Sequence, residues 1–306
     1  MLGWAVISMC LPYLITLIWT GQIERQKNEL DYSGKTIIVE GEQMDLENFV
    51  IYILAEQIPP EYPAAALQSQ AVIARTYLYQ MLQGQGEVSA DTLSIAYKTL
   101  SQMKKEWGDR YTEYYKNLEN AVAATAGRTL KYEGGYIDAM FHHACAGYTR
   151  SGGEQRPYLM PVASDDVSYE GFLSISTWTP DEFVKRIQEL HGDTGLSASG
   201  IMDTVQIVER DEGGYITAIQ IGTALYKGEE IQEALGLSSP SFTIESFEDK
   251  IRIVCQGDGH GFGLSPVSYT HLPNNRCLSP EPGKAARAPP YRRPASDPAH
   301  GPSPRA

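Results

Sequence analysis

Residues 55–77 read AEQIPPEYPAAALQSQAVIARTY, and this stretch decides the fold of the first half of the chain. Glu56 ends an apolar segment, three prolines follow between positions 59 and 63, and an Ala/Gln-rich segment closes on Ala-Arg-Thr-Tyr. Pro63 suits the first position of a helix, where the missing amide hydrogen of proline is not needed. The stretch therefore predicts two helices joined by a tight turn, with a carboxyl group, Glu56, where the first helix ends.

Apolar spacing extends this helical pattern in both directions. Residues on one face of the first helix recur at the period of 3.6 that is typical of an α-helix: Leu46, Phe49, Val50, Ile53 and Leu54. The second helix is predicted over 64–82, and a third over 110–126 with Gly127 as its stop. A strand is predicted over 35–40, directly before the first helix.

The second half of the chain changes to a period of two, which is typical of strands. Hairpins are predicted at 129–132 with 136–141 and at 205–210 with 215–221, followed by strands at 242–247 and 250–255. Helices are predicted at 179–190 and 228–235. The chain is therefore predicted to be an α+β protein, with a helical first half packed on the antiparallel hairpins of the second half and one transmembrane helix before both.

Composition excludes several classes of protein. The chain has 306 residues, of which 42% are hydrophobic, enough for one large core or two modest ones. A net charge of −13 argues against a nucleic-acid partner, because binding phosphates requires clustered Lys and Arg. Four cysteines are too few for a disulfide scaffold. Cys145 and Cys255 lie in the body of the chain, and a disulfide or two free thiols are both compatible with the sequence.

The N-terminus predicts a membrane anchor. Residues 2–20 carry no charge, which matches the roughly 20 residues that a helix needs to cross a bilayer. A cleaved signal peptide is disfavoured, because no basic residue precedes the stretch and no small-residue cleavage site follows it. Arg25 and Lys27 follow the span, so a charge count alone would place the domain in the cytoplasm. The expected organisation is an anchor at 1–21, a linker at 22–34, one domain at 35–265 and a tail at 266–306.

The tail differs in composition from the rest of the chain. Residues 266–306 hold ten of the 18 prolines, which predicts disorder. Residues 267–272 read VSYTHL, one reading frame of a widely used sequencing adapter. This suggests that the authentic frame ends near Ser265, and an unbroken genomic frame through that codon would refute the idea.

Two segments of the second half carry side chains suited to chemistry. Residues 138–149 read DAMFHHACAGYT, where His142, His143 and Cys145 offer metal ligands. That metal site is disfavoured, because adjacent histidines on a strand point to opposite faces, and a histidine that packs in the core or lines a site is favoured instead.

The other segment, 256–265, reads QGDGHGFGLS, and its glycines around His260 would allow the backbone to approach a ligand closely. It is not a nucleotide-binding loop, because it lacks the lysine of a P-loop and the strand–turn–helix context.

Five motifs in one order give the chain a family resemblance. From about residue 38 to 265 it resembles the stage II sporulation protein D family, also called the SpoIID/LytB domain. The motifs are AEQIPPEYPAAALQSQAVIARTY (55–77), FHHACAGYT (141–149), PYLMPVAS (157–164), LGLSSPSFTI (235–244) and GHGFGLS (259–265).

The resemblance implies a lytic transglycosylase that cleaves peptidoglycan glycan strands already stripped of stem peptides, in septal thinning and engulfment during sporulation. It implies a single-pass protein of the cell membrane with its domain outside the cytoplasm. The implied partners are a cell-wall amidase and other membrane proteins of sporulation, and no cofactor. Glu56 matches the catalytic glutamate of the family. Substrate contacts are expected from Arg75, His142, Tyr148 and His260.

The chemistry agrees with one catalytic carboxyl group. Hydrolytic glycosidases use two, whereas a lytic transglycosylase uses the C6 hydroxyl of muramic acid as an internal nucleophile. Glu56 would protonate the glycosidic oxygen and then deprotonate that hydroxyl. Arg75 could instead pack behind Glu56. The alternative function is a cell-wall binding module that enhances a partner amidase without chemistry of its own. A metallohydrolase built on the residues around His142 ranks third.

The chain departs from the family pattern in two main places. Clostridial relatives carry a Cys/His cluster, implying zinc, where residues 86–99 have neither residue type, so no metal is expected there. The GHGFGLS motif is normally followed by a closing helix, whereas Pro266 comes next here, and the wall behind His260 is expected to be incomplete.

Overall fold

Six helices and eleven strands make up the part of the chain that the structure, a computed structural model, describes: residues 33–82, 84–192 and 195–270. The helices are α1 (Leu46–Gln57), α2 (Ala64–Leu82), α3 (Leu100–Trp107), α4 (Tyr111–Ala124), α5 (Pro180–His191) and α6 (Gly228–Leu235). The strands are β1 (Thr36–Val39), β2 (Glu42–Asp45), β3 (Glu87–Ser89), β4 (Lys131–Tyr132), β5 (Gly135–Tyr136), β6 (Leu173–Trp178), β7 (Val205–Arg210), β8 (Ile216–Ile221), β9 (Ala224–Tyr226), β10 (Phe242–Phe247) and β11 (Lys250–Gln256).

Helices α1 and α2 begin where the sequence predicts them. The Asp45 side chain accepts a hydrogen bond of 2.8 Å from the backbone N–H of Glu47 and caps α1. Helix α1 ends at Gln57, where the prolines begin, because proline cannot continue a helix. The predicted third helix is shorter than expected and is preceded by α3, which the sequence analysis missed.

The first half of the domain has its own hydrophobic core. Helices α1, α2 and α4 pack together around side chains without exposed surface, among them Phe49, Ile53, Leu78 and Leu118. A three-stranded sheet in the order β2–β1–β3 borders this core, with β1 and β2 antiparallel and β1 and β3 parallel.

The second half has a separate core between two antiparallel sheets and two helices. Strands β10, β11 and β6 form one sheet, and β7, β8 and β9 form the other. Helices α5 and α6 contribute Phe183 and Ile231 to a cluster that also contains Ile219 and Ile253. Strands β6 and β9 were not predicted. The arrangement confirms the α+β class.

Two chain segments with functional motifs lie beside each other. Phe141 and Leu264 form a parallel bridge, and Ala144 and Asp258 form an antiparallel one. The glycine-rich segment thus runs along the segment that contains the two adjacent histidines.

The glycines of this segment serve contacts within the protein. A Cβ at Gly261 would lie 2.3 Å from Cζ of Tyr215, and one at Gly263 would lie 2.1 Å from the Met140 carbonyl oxygen. Both residues also have positive φ angles, 81° and 76°. Sequence reasoning expected close approach to a ligand, and the close approach is to Tyr215 and Met140 instead.

Two predictions, the anchor at 1–21 and the tail at 266–306, concern residues at or beyond the ends of the described ranges. The predicted anchor at 1–21 and residues 271–306 lie outside these ranges. Residues 266–270 lie inside them, and Val267 begins a short 3-10 helix with a buried side chain. No helix of the described part is both long and apolar enough for a membrane span. Cys145 and Cys255 are both free and buried.

Candidate active site

Glu56 lies at the rim of an open cleft of about 570 Å³ where α1 ends. Its side chain is 40% exposed, so water and a substrate can reach the carboxyl group. The cleft is lined on its other sides by aromatic and charged side chains, including Lys98, Trp107, Tyr114, His143 and Tyr169.

Side-chain amides fix the end of the helix that carries Glu56. Gln70 of α2 has no exposed surface and donates a hydrogen bond of 2.8 Å to Oε1 of Gln57. Asn117 of α4 donates a hydrogen bond of 3.2 Å to the Pro60 carbonyl oxygen. The Ala/Gln stripe of α2 and the polar face of α4 therefore hold the turn that follows Glu56.

Lys98 supplies a positive charge beside Glu56. Its Nζ lies 3.8 Å from Oε2 of Glu56 and 2.8 Å from Oε1 of Glu106. The backbone N–H of Lys98 donates a 3.0 Å hydrogen bond to the Tyr52 carbonyl oxygen of α1, which fixes the lysine relative to the helix. One cation thus lies between two carboxylates at the same end of the cleft.

Aromatic rings also line the cleft. Trp107 and Tyr114 meet edge to face at 5.7 Å, and the Arg110 guanidinium lies 4.3 Å above the Tyr114 ring. The Tyr169 hydroxyl donates a 2.9 Å hydrogen bond to Asp258. Burial, and then this bond, raises the pKa of Tyr169 to about 12, so the phenol stays neutral. Rings with polar edges of this kind suit a ligand with apolar faces and many hydroxyl groups.

Arg75 lies elsewhere than the sequence analysis expected. It has no exposed surface, and its Nη2 donates a 2.6 Å hydrogen bond to Glu47, not to Glu56. Glu47 also accepts a 3.3 Å hydrogen bond from the backbone N–H of Gly127, and Arg75 donates one of 3.3 Å to the Thr125 hydroxyl. A side chain enclosed in this way has no surface to offer a substrate. The geometry therefore supports a structural role that ties α1, α2 and the end of α4 together.

The two adjacent histidines differ in burial, although they lie in no strand: the strand predicted at 136–141 ends at Tyr136, and only isolated bridges at Phe141 and Ala144 flank them. His142 is 2% exposed, and burial lowers its pKa to about 4. His143 is exposed and lines the Glu56 cleft. The structure therefore places His143, rather than the expected His142, where a substrate at Glu56 would lie.

His260 and Tyr148 lie outside the Glu56 cleft. His260 lines a neighbouring cavity of about 240 Å³ that Gln57 also borders. Its Nδ1 accepts a 3.0 Å hydrogen bond from the backbone N–H of Phe262, and burial, followed by the charge of Arg150, lowers its pKa. Tyr148 is 50% exposed and lines neither of these cavities. Glu56 and His260 thus border adjacent cavities, separated by Gln57.

A buried carboxylate, Asp166, lies beneath residues 141–145, the segment that carries His143. Burial alone would raise the pKa of Asp166, but hydrogen bonds from Ser164, Ser265 and the Cys145 backbone lower it, so the carboxylate is ionised. Burial raises the pKa of the Cys145 thiol to about 11. Sequence reasoning missed Asp166.

Comparisons with known proteins place the chain in a family. Residues 33–132 match the model of SpoIID, described as a stage II sporulation protein. Stage II sporulation protein D of Bacillus amyloliquefaciens is 34% identical over 245 residues, covering 76% of this chain and 69% of the relative. The protein of the same name from Bacillus subtilis is 30% identical over 237 residues, covering 73% and 67%. An uncharacterized protein of Brachyspira hyodysenteriae is 26% identical over 247 residues, covering 77% and 62%.

These matches define a class of sporulation proteins. The chain belongs to the stage II sporulation protein D family.

Proposed function

We propose that this protein is a lytic transglycosylase that cleaves peptide-free glycan strands of peptidoglycan during sporulation. The observation that carries the proposal is the position of Glu56, exposed at the rim of a cleft with an aromatic wall. Glycan strands bind in such clefts because sugar rings pack on aromatic faces while their hydroxyl groups bond to polar edges.

In the proposed reaction Glu56 acts first as an acid and then as a base. Its carboxyl group gives a proton to the glycosidic oxygen, and the bond from that oxygen to the anomeric carbon of muramic acid breaks. The Glu56 carboxylate then takes the proton of the C6 hydroxyl on the same sugar as its oxygen attacks the anomeric carbon. The product ends in 1,6-anhydro-muramic acid, and no water is consumed.

The cleft also contains other carboxylates, so hydrolysis is the competing chemistry. Glu106 is held by the same lysine as Glu56, and Glu61 lies in the turn after α1. A hydrolase needs a second carboxyl group to activate water or to attack. The ends of the products distinguish the two reactions, because an anhydro end is one water lighter than a reducing end.

The test is a digestion of purified peptide-free strands with the full chain, followed by mass spectrometry of the products. We expect anhydro ends, and a fall of roughly 10²- to 10⁴-fold in rate for Glu56→Gln, the range that acid–base catalysis contributes. Glu61→Gln is the matched control, because Glu61 lines the same cleft, and its rate should stay within about twofold of the wild type.

Three outcomes would overturn parts of this proposal. Reducing ends that disappear in both Glu56→Gln and Glu106→Gln would mean a hydrolase. Anhydro ends that persist in Glu56→Gln would move the catalytic role to another residue. Strands that bind without being cut would favour the alternative, a wall-binding module that enhances an amidase.

The proposal extends to location and partners. The substrate lies outside the cytoplasmic membrane, so we propose that residues 1–21 anchor the domain on the outer side of that membrane. Peptide-free strands are the product of an amidase that removes the stem peptides. The protein would therefore act after such an amidase, in one assembly with other membrane proteins of sporulation.

A further inference from the structure

Three potential metal ligands meet in the interior, on the side of residues 141–145 opposite His143. They are His142, Cys145 and Asp166, and one donor atom of each lies within 4.8 Å of the others. None of the three side chains is more than 2% exposed. A nitrogen, a sulfur and a carboxylate oxygen are therefore gathered at one point away from solvent.

His142 is oriented as a metal ligand would be. Its Nδ1 lies 3.1 Å from the Phe262 carbonyl oxygen. Since a carbonyl oxygen only accepts, Nδ1 carries the hydrogen and Nε2 presents a lone pair. Nε2 is buried and has no hydrogen-bond partner among the described residues. Histidines that bind metals usually donate their other ring N–H to a backbone carbonyl or a carboxylate, as His142 does.

Asp166 is held in place by hydrogen bonds to both oxygens. Oδ2 accepts from the Cys145 backbone N–H at 2.7 Å and from the Ser265 hydroxyl at 2.6 Å. Oδ1 accepts from the hydroxyls of Ser164 at 2.6 Å and Ser268 at 3.1 Å. A carboxylate accepts about four hydrogen bonds, so a metal would displace one of these donors. Ser268 makes the longest of the four and is the donor we expect to yield.

We propose that His142 Nε2, Cys145 Sγ and one oxygen of Asp166 bind a structural zinc ion. This set of donors is one that Zn²⁺ prefers, and three protein ligands leave its fourth position for water or the Ser164 hydroxyl. In tetrahedral coordination the donor atoms lie about 3.3–3.8 Å apart, so the site contracts slightly on binding. The Cys145 thiol releases its proton to solvent as the Zn–S bond forms.

The ion would connect residues 141–145 to the loop around Asp166. This connection keeps His143, the neighbour of a ligand, directed toward the Glu56 cleft. The site differs in position from the Cys/His cluster expected of clostridial relatives, because it lies outside residues 86–99. It does not depend on the proposed cleavage reaction, and its test does not measure activity.

The test is spectroscopic and uses the full chain, stripped with a chelator and loaded with Co²⁺ in place of Zn²⁺. We expect one Co²⁺ per chain and a thiolate-to-cobalt charge-transfer band in the near ultraviolet. Cys145→Ser should abolish the band. Cys255→Ser is the matched control, since Cys255 is also a free buried thiol, and should keep it. Ser265→Ala, which removes a bond to Asp166, should weaken Zn²⁺ binding by roughly 10- to 100-fold.

A second measurement uses only the wild type, in case Cys145→Ser fails to fold. X-ray absorption of the zinc-loaded chain should show one sulfur and otherwise nitrogen or oxygen ligands. Absence of sulfur, a cobalt band that survives Cys145→Ser, or no stoichiometric metal on the folded wild type would each overturn the proposal.

Discussion

Lys98 gives the cleft its cation at the point where chemistry is proposed. A peptide-free glycan strand differs from an intact one in that each muramic acid carries a free lactyl carboxylate. The Lys98 ammonium lies 3.8 Å from Glu56 on a side chain that is 21% exposed, so it can bind an anionic group on the sugar beside the cleaved bond. Glu106, which holds the same ammonium at 2.8 Å, keeps it at the rim.

Lys98→Met should therefore impair recognition of peptide-free strands. We expect kcat/KM to fall about tenfold, mainly through KM, because a charge-assisted hydrogen bond at a partly exposed site contributes roughly 1.5 kcal/mol. Steady-state kinetics on purified strands measures the effect.

The control uses chemically modified glycan strands. Strands whose lactyl carboxylates are converted to neutral amides should be poor substrates for the wild type and equally poor for Lys98→Met. Lys98→Arg should retain most of the activity. If the variant discriminated against amidated strands as strongly as the wild type does, Lys98 would not bind the carboxylate.

Some residues of the candidate site could be predicted from the sequence and others could not. Glu56 was predicted because it follows an apolar helix, precedes prolines and matches the catalytic glutamate of the family that the sequence resembles, and all of these signals are local. The alternation of strand side chains predicted that His142 and His143 face opposite ways, but not which of them faces the cleft. Lys98 and Asp166 carry no local signal, because their roles come from segments that only the fold brings together.

At the scale of elements, the Glu47–Arg75 pair connects the helices of the first half. Glu47 is 1% exposed and Arg75 has no exposed surface. Nε and Nη2 of the arginine both bond to the same carboxylate, a paired geometry that lysine cannot reproduce. The remaining Arg75 donors reach the Val122 and Arg128 carbonyl oxygens near the end of α4.

Arg75→Ala should destabilise the domain rather than weaken substrate binding. Removing one partner of a buried ion pair leaves the other charge unpaired, which costs about 3–5 kcal/mol. Urea unfolding of the full chain should show this loss in the free energy of unfolding, and Arg75→Lys should recover only part of it.

The contrary result would restore the role expected from the sequence. If Arg75→Ala kept the stability of the wild type but raised KM for glycan strands, Arg75 would contact the substrate. Lys98→Met serves as the comparison here, since it changes a cation in the cleft without opening the core.

Helices and strands were predicted well where one face is buried and the pattern of apolar residues is long. Helix α2 and helix α6 have the predicted bounds, because 3.6-residue spacing, prolines and glycines marked their ends. Strand β6 was not predicted, because its residues alternate between exposed and half-buried positions. It also lies at the edge of its sheet, where it pairs only with β11. Its place depends on a partner more than 70 residues away, which no local pattern reveals.

Histidines in the interior make the free energy of unfolding of the whole domain depend on pH. The pKa of His142 is about 4 in the folded protein and about 6.5 in the unfolded chain. Between these values the unfolded chain binds more protons, so the free energy of unfolding falls as pH falls. We expect a loss of roughly 3 kcal/mol between pH 6.5 and 4, with His260 acting in the same direction.

Chemical denaturation across this pH range, with a chelator present, measures the effect. His142→Gln should flatten the pH dependence. If this variant kept the slope of the wild type, the pH dependence would belong to other groups.

The cleft is lined by residues from distant parts of the chain, from Ala55 to Pro266. The bridge from Phe141 to Leu264 closes a loop of more than 120 residues, and contacts across such long loops are slow to form. During synthesis the helix that carries Glu56 therefore leaves the ribosome well before the residues that complete the groove. On the proposed function, a glycan strand therefore finds a complete groove to bind only after the ribosome has passed residue 266.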